Sequence, residues 1–318
     1  MNKKMEKKKV LCVIPITEEH KEKLESSVSG YQFIYKNVKD IKADDVKDVS
    51  VIAGSVPPEL LGCAEKLEWL QLPSAGYDKY VKGGVLPHGV KLTCSVGAYG
   101  PAVSEHMLAM VLALQKRLHT YSQNMLSCKW QDAGNVTSIN GSRTLVIGLG
   151  NIGQEFASKM KALGSHVTGI RRNVSEKPEC VEAVCSMEQM DSLLPDMDIV
   201  AVVMPGSPEN YHLFSEEKFS RMKKGSIFIN AGRGSLVDEK ALLKALQEGP
   251  LGAAGLDVSD PEPMCPENPL WKQENILITP HTAGGFHLPE TLDRIVDIFI
   301  ENLQNYKEDR PLRNLVSF

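Results

Sequence analysis

Residues 144–153 read TLVIGLGNIG, and this stretch decides the fold. A continuous apolar run is followed by glycines at positions 148, 150 and 153, and then by the amphipathic segment QEFASKMKAL. Strand, glycine turn and helix in that order are the context in which G-x-G-x-x-G acquires a physical meaning. Gly148 permits a tight turn, Gly150 lets the backbone approach a pyrophosphate, and Gly153 lets helix and strand pack closely. Asn151 and Ile152 open the helix, where free N–H groups and the positive end of the helix dipole favour an anion. The competing reading, glycines that merely turn the chain, leaves the flanking strand and helix unexplained.

The same rhythm extends in both directions. Downstream, the apolar runs HVTGI (166), DIVAVVM (198), SIFIN (226), GAAGLDV (252) and NILITP (275) alternate with predicted helices at 152–163, 187–194, 215–222 and 238–247. Upstream, KVLCVIPI, YQFIY (31–35), VIAG (51), LEWLQL (67–72) and KLTCSV (91) are strand candidates, with a helix at 18–28. Strands alternating with helices imply parallel sheets, and continuous apolar strands imply helices on both faces. Residues 101–118, PAVSEHMLAMVLALQKRL, predict a helix apolar on nearly every face, hence one buried between domains or in a subunit interface. A last amphipathic helix at 289–306 is expected to pack back on the N-terminal unit.

Composition narrows the class. At 318 residues, 42% hydrophobic and 24% charged, the chain has material for two cores. Its formal charge of −4 gives no global positive field, which excludes nucleic acid and anionic membrane as partners on charge grounds. The longest apolar stretches, such as residues 107–114, fall well short of the roughly 20 residues that span a bilayer. The basic start MNKKMEKKKV lacks a cleavage pattern and reads as a solvated leader, not a signal peptide. Seven cysteines without a CxxC pair argue against a disulfide framework or structural zinc and fit a reducing cytoplasm. They are expected as small core side chains, with Cys265 of interest for its closeness to Glu262.

Cofactor selectivity is read at the end of the strand after the glycine loop. An NAD site usually carries an acidic residue there for the ribose hydroxyls. This chain has Arg171, Arg172 and Asn173 instead. A carboxylate would repel a 2′-phosphate, whereas guanidinium groups bind one through planar, charge-assisted hydrogen bonds. NADP(H) is therefore expected over NAD(H), with a merely solvated basic turn as the competing reading.

Three separated residues carry the chemistry: Arg233 in NAGRG, Glu262 in DPEP and His281 in TPHTAGG. Arg233 follows a parallel strand, at the edge where open sheets bind ligands, and its fork suits the carboxylate and carbonyl of a 2-keto acid. His281 is suited to exchange a proton with a developing alkoxide near neutral pH. Together with SAGYD (74–78), SEHMLAMVLAL (104–114), GLGNIG, MPGSPENYHLF (204–214), NAGRGSLVDEKAL (230–242) and LDVSDPEP (256–263), these motifs make the chain resemble the D-isomer-specific 2-hydroxyacid dehydrogenases over nearly its whole length.

The resemblance implies an α/β protein of two Rossmann-like domains with a cleft between them. A flavodoxin-like substrate domain would comprise residues 1–98 and 288–318, and a dinucleotide-binding domain residues 99–287. It makes Glu262 the partner that orients His281. It places substrate carboxylate on the backbone near Ser74, Ala75 and Gly76, with Tyr99 lining the cleft or packing beneath it. It sets Pro205 and Ser207 on the adenosine side, and Ala231, Asp257 and Gly284 near the nicotinamide, Asp257 accepting from the carboxamide. Two departures stand out: the usual PLT tripeptide is Pro205-Gly206-Ser207, and the acidic ribose residue is Arg171.

The expected activity is hydride transfer from NADPH to C2 of a small 2-keto acid, giving the (R)-2-hydroxy acid, without a metal. Hydroxypyruvate or glyoxylate is the first substrate expectation, and lactate-type or branched 2-keto acids follow. A short phosphoglycerate dehydrogenase is an alternative, weakened because no regulatory domain is expected after Phe318. A formate dehydrogenase would leave Glu262 without purpose. From another class, the family's dinucleotide-sensing corepressors keep the fold without significant turnover. A cytoplasmic homodimer through helix 101–118 is expected.

Overall fold

A computed structural model describes residues 7–81 and 83–317. The lysine-rich start lies mostly outside the described residues. The chain forms two compact units, one made of the residues up to Tyr99 together with those from Phe286 onward, the other running from Gly100 to Gly285.

The first unit carries strands β1 (Lys8–Cys12), β2 (Tyr31–Tyr35), β3 (Val51–Ala53), β4 (Trp69–Gln71) and β5 (Lys91–Thr93) in one parallel sheet of order β2-β1-β3-β4-β5. That is the flavodoxin-type order. Its helices are α1 (Glu18–Ser27), the short α2 (Ala43–Lys47) and α3 (Pro58–Leu61), and a C-terminal helix, Pro289–Lys307. Thr17 caps α1, its hydroxyl accepting from the His20 amide. The C-terminal helix does pack on this sheet, because a buried polar chain and an aromatic cluster hold it there. Trp69 lies against Phe299 and Tyr306, its indole N–H donating to Thr93 Oγ1 at 2.7 Å. Thr93 and Asn302 both donate to Gln71 Oε1, at 2.7 and 3.0 Å. Burying these groups is tolerable only because each has a partner.

The second unit is a parallel sheet of order β12-β11-β10-β9-β6-β7-β8. Its strands are β6 (Arg143–Ile147), β7 (His166–Ile170), β8 (Ala183–Cys185), β9 (Ile199–Val202), β10 (Ser226–Asn230), β11 (Leu251–Leu256) and β12 (Ile276–Ile278). The helices are α4 (Gly100–Gln115), α5 (Leu118–Leu126), α6 (Asn151–Ala162), the short α7 (Met190–Leu193) and α8 (Glu216–Ser220), and α9 (Glu239–Gln247). Strand order reverses between β6 and β9, so the ligand crevice of this doubly wound sheet lies at their carboxyl ends. Phe214, Phe219 and Phe228 form the aromatic centre of its core, with ring centroids 4.7 to 5.6 Å apart.

Three expectations are corrected. The helix predicted for 101–118 ends at Gln115, because Arg117 takes a left-handed conformation (φ 55°) and its Nε donates to the Asn135 carbonyl at 2.9 Å. Within one chain Val103, Met107, Met110, Val111 and Leu114 are buried, Leu108 and Leu112 are half-buried, and Glu105 and Ala109 are exposed. Strand β8 was not anticipated, since three residues at a sheet edge leave too short a pattern to read. The cysteines are not uniformly core residues: Cys12, Cys94 and Cys180 are buried, Cys185 is half-buried, and Cys63, Cys128 and Cys265 are exposed. Among the described residues no helix is long and apolar enough to cross a membrane.

Candidate active site

The glycine loop sits at the β6 end of the crevice, and its three glycines have different reasons. Gly148 has φ 103°, and a Cβ there would stand 2.8 Å from the Val203 carbonyl oxygen, so the loop after β6 abuts the loop after β9. A Cβ on Gly153 would stand 1.9 Å from Gly148 O, which only glycine accommodates. Gly150, the residue before α6, has φ −75° and nothing within 4 Å of a built Cβ. Nothing in the protein's own packing requires glycine at 150; the open space over the helix start suits a pyrophosphate. No side chain caps α6, which leaves its first amides to a ligand. The Asn151 carboxamide points elsewhere, with Oδ1 buried and a built Cβ on Gly100 only 2.8 Å away, so Asn151 offers its backbone to the crevice.

At the tip of β7, Arg171 is half-buried and Arg172 exposed. Neither guanidinium pairs with a carboxylate within bonding distance among the described residues, although Arg172 is close enough to influence Glu209. Asn173 turns inward on its own loop, its Oδ1 accepting from the Ser175 amide (3.0 Å) and hydroxyl (2.7 Å). After β9, the Ser207 amide donates to Asn210 Oδ1 at 2.6 Å and Asn210 Nδ2 donates to Pro205 O at 2.9 Å, which closes the Pro205-Gly206-Ser207 turn. The Ser207 hydroxyl bonds the Glu209 carboxylate and, as the largest cause, holds that group below the usual range.

The loop after β10 is shaped by Asn230, which is fully buried. Its Oδ1 accepts from the Gly232 amide at 3.0 Å and its Nδ2 donates to the Arg233 carbonyl at 2.9 Å, so one side chain clamps both ends of the Ala231-Gly232-Arg233 turn. Gly234 then lets this turn lie on the Ser259 backbone, where a Cβ would stand 2.0 Å from the carbonyl. The NAGRG motif is therefore a steric device that brings the Arg233 loop against the loop carrying Glu262. Arg233 itself is half-buried, with Nη1 donating to Gly232 O at 2.8 Å.

Glu262 and His281 meet. Glu262 Oε2 lies 2.8 Å from His281 Nδ1, and Oε1 receives the Ser259 amide at 3.3 Å. An ionised carboxylate only accepts, so the proton sits on Nδ1 and Nε2 is left to face a ligand. The side chains are 48% and 41% exposed, so the imidazole is reachable and is not a core histidine. His281 has φ 48°, an uncommon conformation for a non-glycine residue, and its amide donates to Asp257 O at 2.7 Å. Glu239, which sequence reading did not single out, ties the loop to α9 by accepting from the Asp260 amide (3.2 Å) and Asn268 Nδ2 (2.6 Å).

Asp257 is 2% exposed and already well occupied. Oδ1 accepts from Thr279 Oγ1 at 2.6 Å and from the Thr282 amide at 3.0 Å, and the Ala283 amide reaches both oxygens at 3.2 to 3.3 Å. Its main visible work is to hold residues 279–283, while Oδ2 keeps acceptor capacity. Ala231 and Gly284 are half-buried.

In the first unit, the Ser74 hydroxyl donates to Gly76 O at 2.6 Å and the Ser74 carbonyl accepts from the Ser95 amide at 2.9 Å. The amides of Ala75 and Gly76 meet no acceptor among the described residues, which suits them to a carboxylate. Tyr99, expected as a substrate-binding residue, is 6% exposed and donates to Pro73 O at 2.6 Å. Burial pushes its phenol well above the usual range, and the side chain supports the 74–76 loop from beneath.

Residues 108–283 match the family model described as D-isomer specific 2-hydroxyacid dehydrogenase, NAD binding domain. The chain is 33% identical over 291 residues to a glyoxylate reductase of Korarchaeum cryptofilum, covering 88% of this chain and 86% of the relative. A D-isomer specific 2-hydroxyacid dehydrogenase family protein from Aeromonas salmonicida superposes with a TM-score of 0.88 at 27% identity, covering 98% and 99% of the two chains. A D-isomer specific 2-hydroxyacid dehydrogenase from Xanthobacter autotrophicus, solved with NADPH and MES, superposes with a TM-score of 0.81 at 25% identity over 98% of each.

Proposed function

We propose a keto acid reductase: the chain belongs to the D-isomer specific 2-hydroxyacid dehydrogenase family, and its residues suit reduction of a small 2-keto acid by NADPH. The observation that carries this reading is the 2.8 Å pairing of His281 Nδ1 with Glu262, which leaves Nε2 on an exposed ring. Bound NADPH would supply the hydride to C2. Arg233 holds the substrate carboxylate and carbonyl through its fork, and His281 Nε2–H donates a proton to the oxygen as it becomes an alkoxide. Glu262 keeps the ring in that tautomer and stabilises the imidazolium from which the proton leaves. In oxidation the same nitrogen accepts the proton.

NADPH is favoured over NADH because Arg171 and Arg172 stand where a carboxylate would otherwise exclude a 2′-phosphate. The helix start at Gly150 and Asn151 holds the pyrophosphate, with Pro205 and Ser207 bordering the adenosine side and Ala231, Asp257 and Gly284 bordering the nicotinamide. Asn173 contributes to the phosphate end through its Nδ2. The first substrates to try are glyoxylate and hydroxypyruvate. A panel of 2-keto acids assayed in parallel with both cofactors is the test. NADPH oxidation with one of these acids, and a higher kcat/KM than with NADH, is expected. No oxidation with any acid of the panel overturns the reductase, and a clear NADH preference overturns the cofactor assignment alone.

A homodimer is part of the proposal. Leu118, Met125, Leu126 and Trp130 are 55%, 70%, 82% and 105% exposed along and just after α5, four large apolar side chains close together in sequence. A second copy covers it in this reading, and light scattering at micromolar concentration that reports a monomer overturns it.

A further inference from the structure

A second histidine of the dinucleotide-binding unit is tied to the loop that carries His281. His106 lies on α4, in the middle of its 16 residues, with its side chain 24% exposed. Its Nε2 is 2.9 Å from Thr279 Oγ1, and Thr279 Oγ1 is 2.6 Å from Asp257 Oδ1. The direct distance from Nε2 to that carboxylate oxygen is 3.7 Å, so the contact runs through the threonine. Proton accounting fixes the direction. A carboxylate only accepts, so the single hydroxyl hydrogen of Thr279 goes to Asp257, and the threonine oxygen accepts Nε2–H from His106.

The end of this chain is the reacting loop. Asp257 holds residues on either side of His281: Thr279 through its hydroxyl, and Thr282 and Ala283 through their amides. Its carbonyl takes the His281 amide at 2.7 Å. A histidine at φ 48° persists only where neighbours over-determine it. Removing the His106 donor leaves the Thr279 oxygen without the partner that fixes its rotamer from the helix side, and so loosens the shortest of the bonds to that carboxylate.

We propose that His106 is a positioning residue for proton transfer: by donating to Thr279 it locks the Thr279–Asp257 clamp and holds His281 in register with the substrate oxygen. The proposal rests on the reductase reading, in which His281 is the proton donor. Misplacement of a reacting group by about 1 Å costs on the order of 100-fold, and a loosened clamp is expected to cost about 10- to 100-fold in kcat. The KM for keto acid and the Kd for NADPH change little, because neither is held by His106.

The test compares His106→Leu with His106→Gln, whose Nε2 reaches about as far as the imidazole Nε2 and still donates. His106→Leu is expected to lose kcat and to speed amide exchange at Thr282 and Ala283, while His106→Gln recovers most of both. Thr279→Val should reproduce the defect, and the double variant His106→Leu/Thr279→Val should be no worse than either single one. Where His106→Leu does not fold, His106→Asn, too short to reach Thr279, takes its place. Unchanged kcat and exchange in His106→Leu, failure of His106→Gln to recover, or additive losses in the double variant overturn the proposal. If the wild type reduces no keto acid, the reductase reading fails by itself, and the exchange rates still decide whether His106 holds the loop.

Discussion

Two histidines of the dinucleotide-binding unit are each linked to a carboxylate, and the links are of opposite kinds. His281 pairs directly with Glu262 in a site where both side chains are close to half exposed. His106 reaches Asp257 through Thr279, and the carboxylate is 3% exposed. An exposed pair is screened and contributes no more than about 1 kcal/mol to stability. A buried carboxylate with three donors is costly to disturb, because each donor left unpaired costs about 1 to 3 kcal/mol. The first arrangement is poor at holding a fold and good at meeting a ligand; the second is the reverse.

The largest expected effect is on the exposed side. His281→Ala should lower kcat about 1,000-fold, within the range general acid–base catalysis supplies, while NADPH affinity and Tm stay near wild type. A large loss of Tm in this variant would erase the distinction between the two histidines. Next comes Asp257→Ala, which strands Thr279 Oγ1 and the amides of Thr282 and Ala283. A stability loss of about 3 kcal/mol is expected, seen as a fall in Tm of roughly 6 to 12 °C. A variant as stable as wild type would mean that the clamp is not structural.

Smaller still is Glu262→Gln. The amide oxygen can go on accepting from Nδ1, so only the charge is removed, and a fall in kcat of about 10-fold with unchanged Tm is expected. An effect as large as that of His281→Ala would promote Glu262 from orienting partner to equal participant.

The smallest effect concerns thiols and extends the same contrast of exposed and buried groups. Cys265, exposed and three residues past Glu262, should react with iodoacetamide in the native protein at pH 8. Cys12 should not, because burial pushes its thiol up to about 11. The folded form therefore binds this proton more tightly than the unfolded form. The stability it contributes is complete below pH about 9 and declines as pH rises from about 9 to about 11. Urea titrations at intervals of pH should show that decline weakened in Cys12→Ala, and a slope identical to wild type would exclude Cys12 as its source.

Much of the chain was legible because its signals are local. Gly148, Gly150 and Gly153 announce a strand, a turn and a helix within ten residues, and the apolar strands announce a sheet covered on both faces. Arg233, Glu262 and His281 were legible as residue types in motifs. The reason for the second glycine of NAGRG was not legible: Gly234 is required by the backbone of Ser259, 25 residues further along the chain. Tyr99 illustrates the opposite case. A tyrosine beside glycines reads equally as ligand wall or packing residue, and burial decided for packing.

By itself the sequence determined most of the strands and the longer helices, the glycine turn after β6, the basic residues at the tip of β7 and the residue types of the candidate site, because each is written in neighbouring residues. Only the tertiary structure decided that His106, read within an apolar helix, faces Thr279, and that Asp257, expected to accept from a carboxamide, is buried and accepts from Thr279, Thr282 and Ala283. Those contacts join residues separated by as many as 173 positions. Hydrogen bonds of that kind depend on where helix and sheet come to rest against each other, and no spacing along the chain records it.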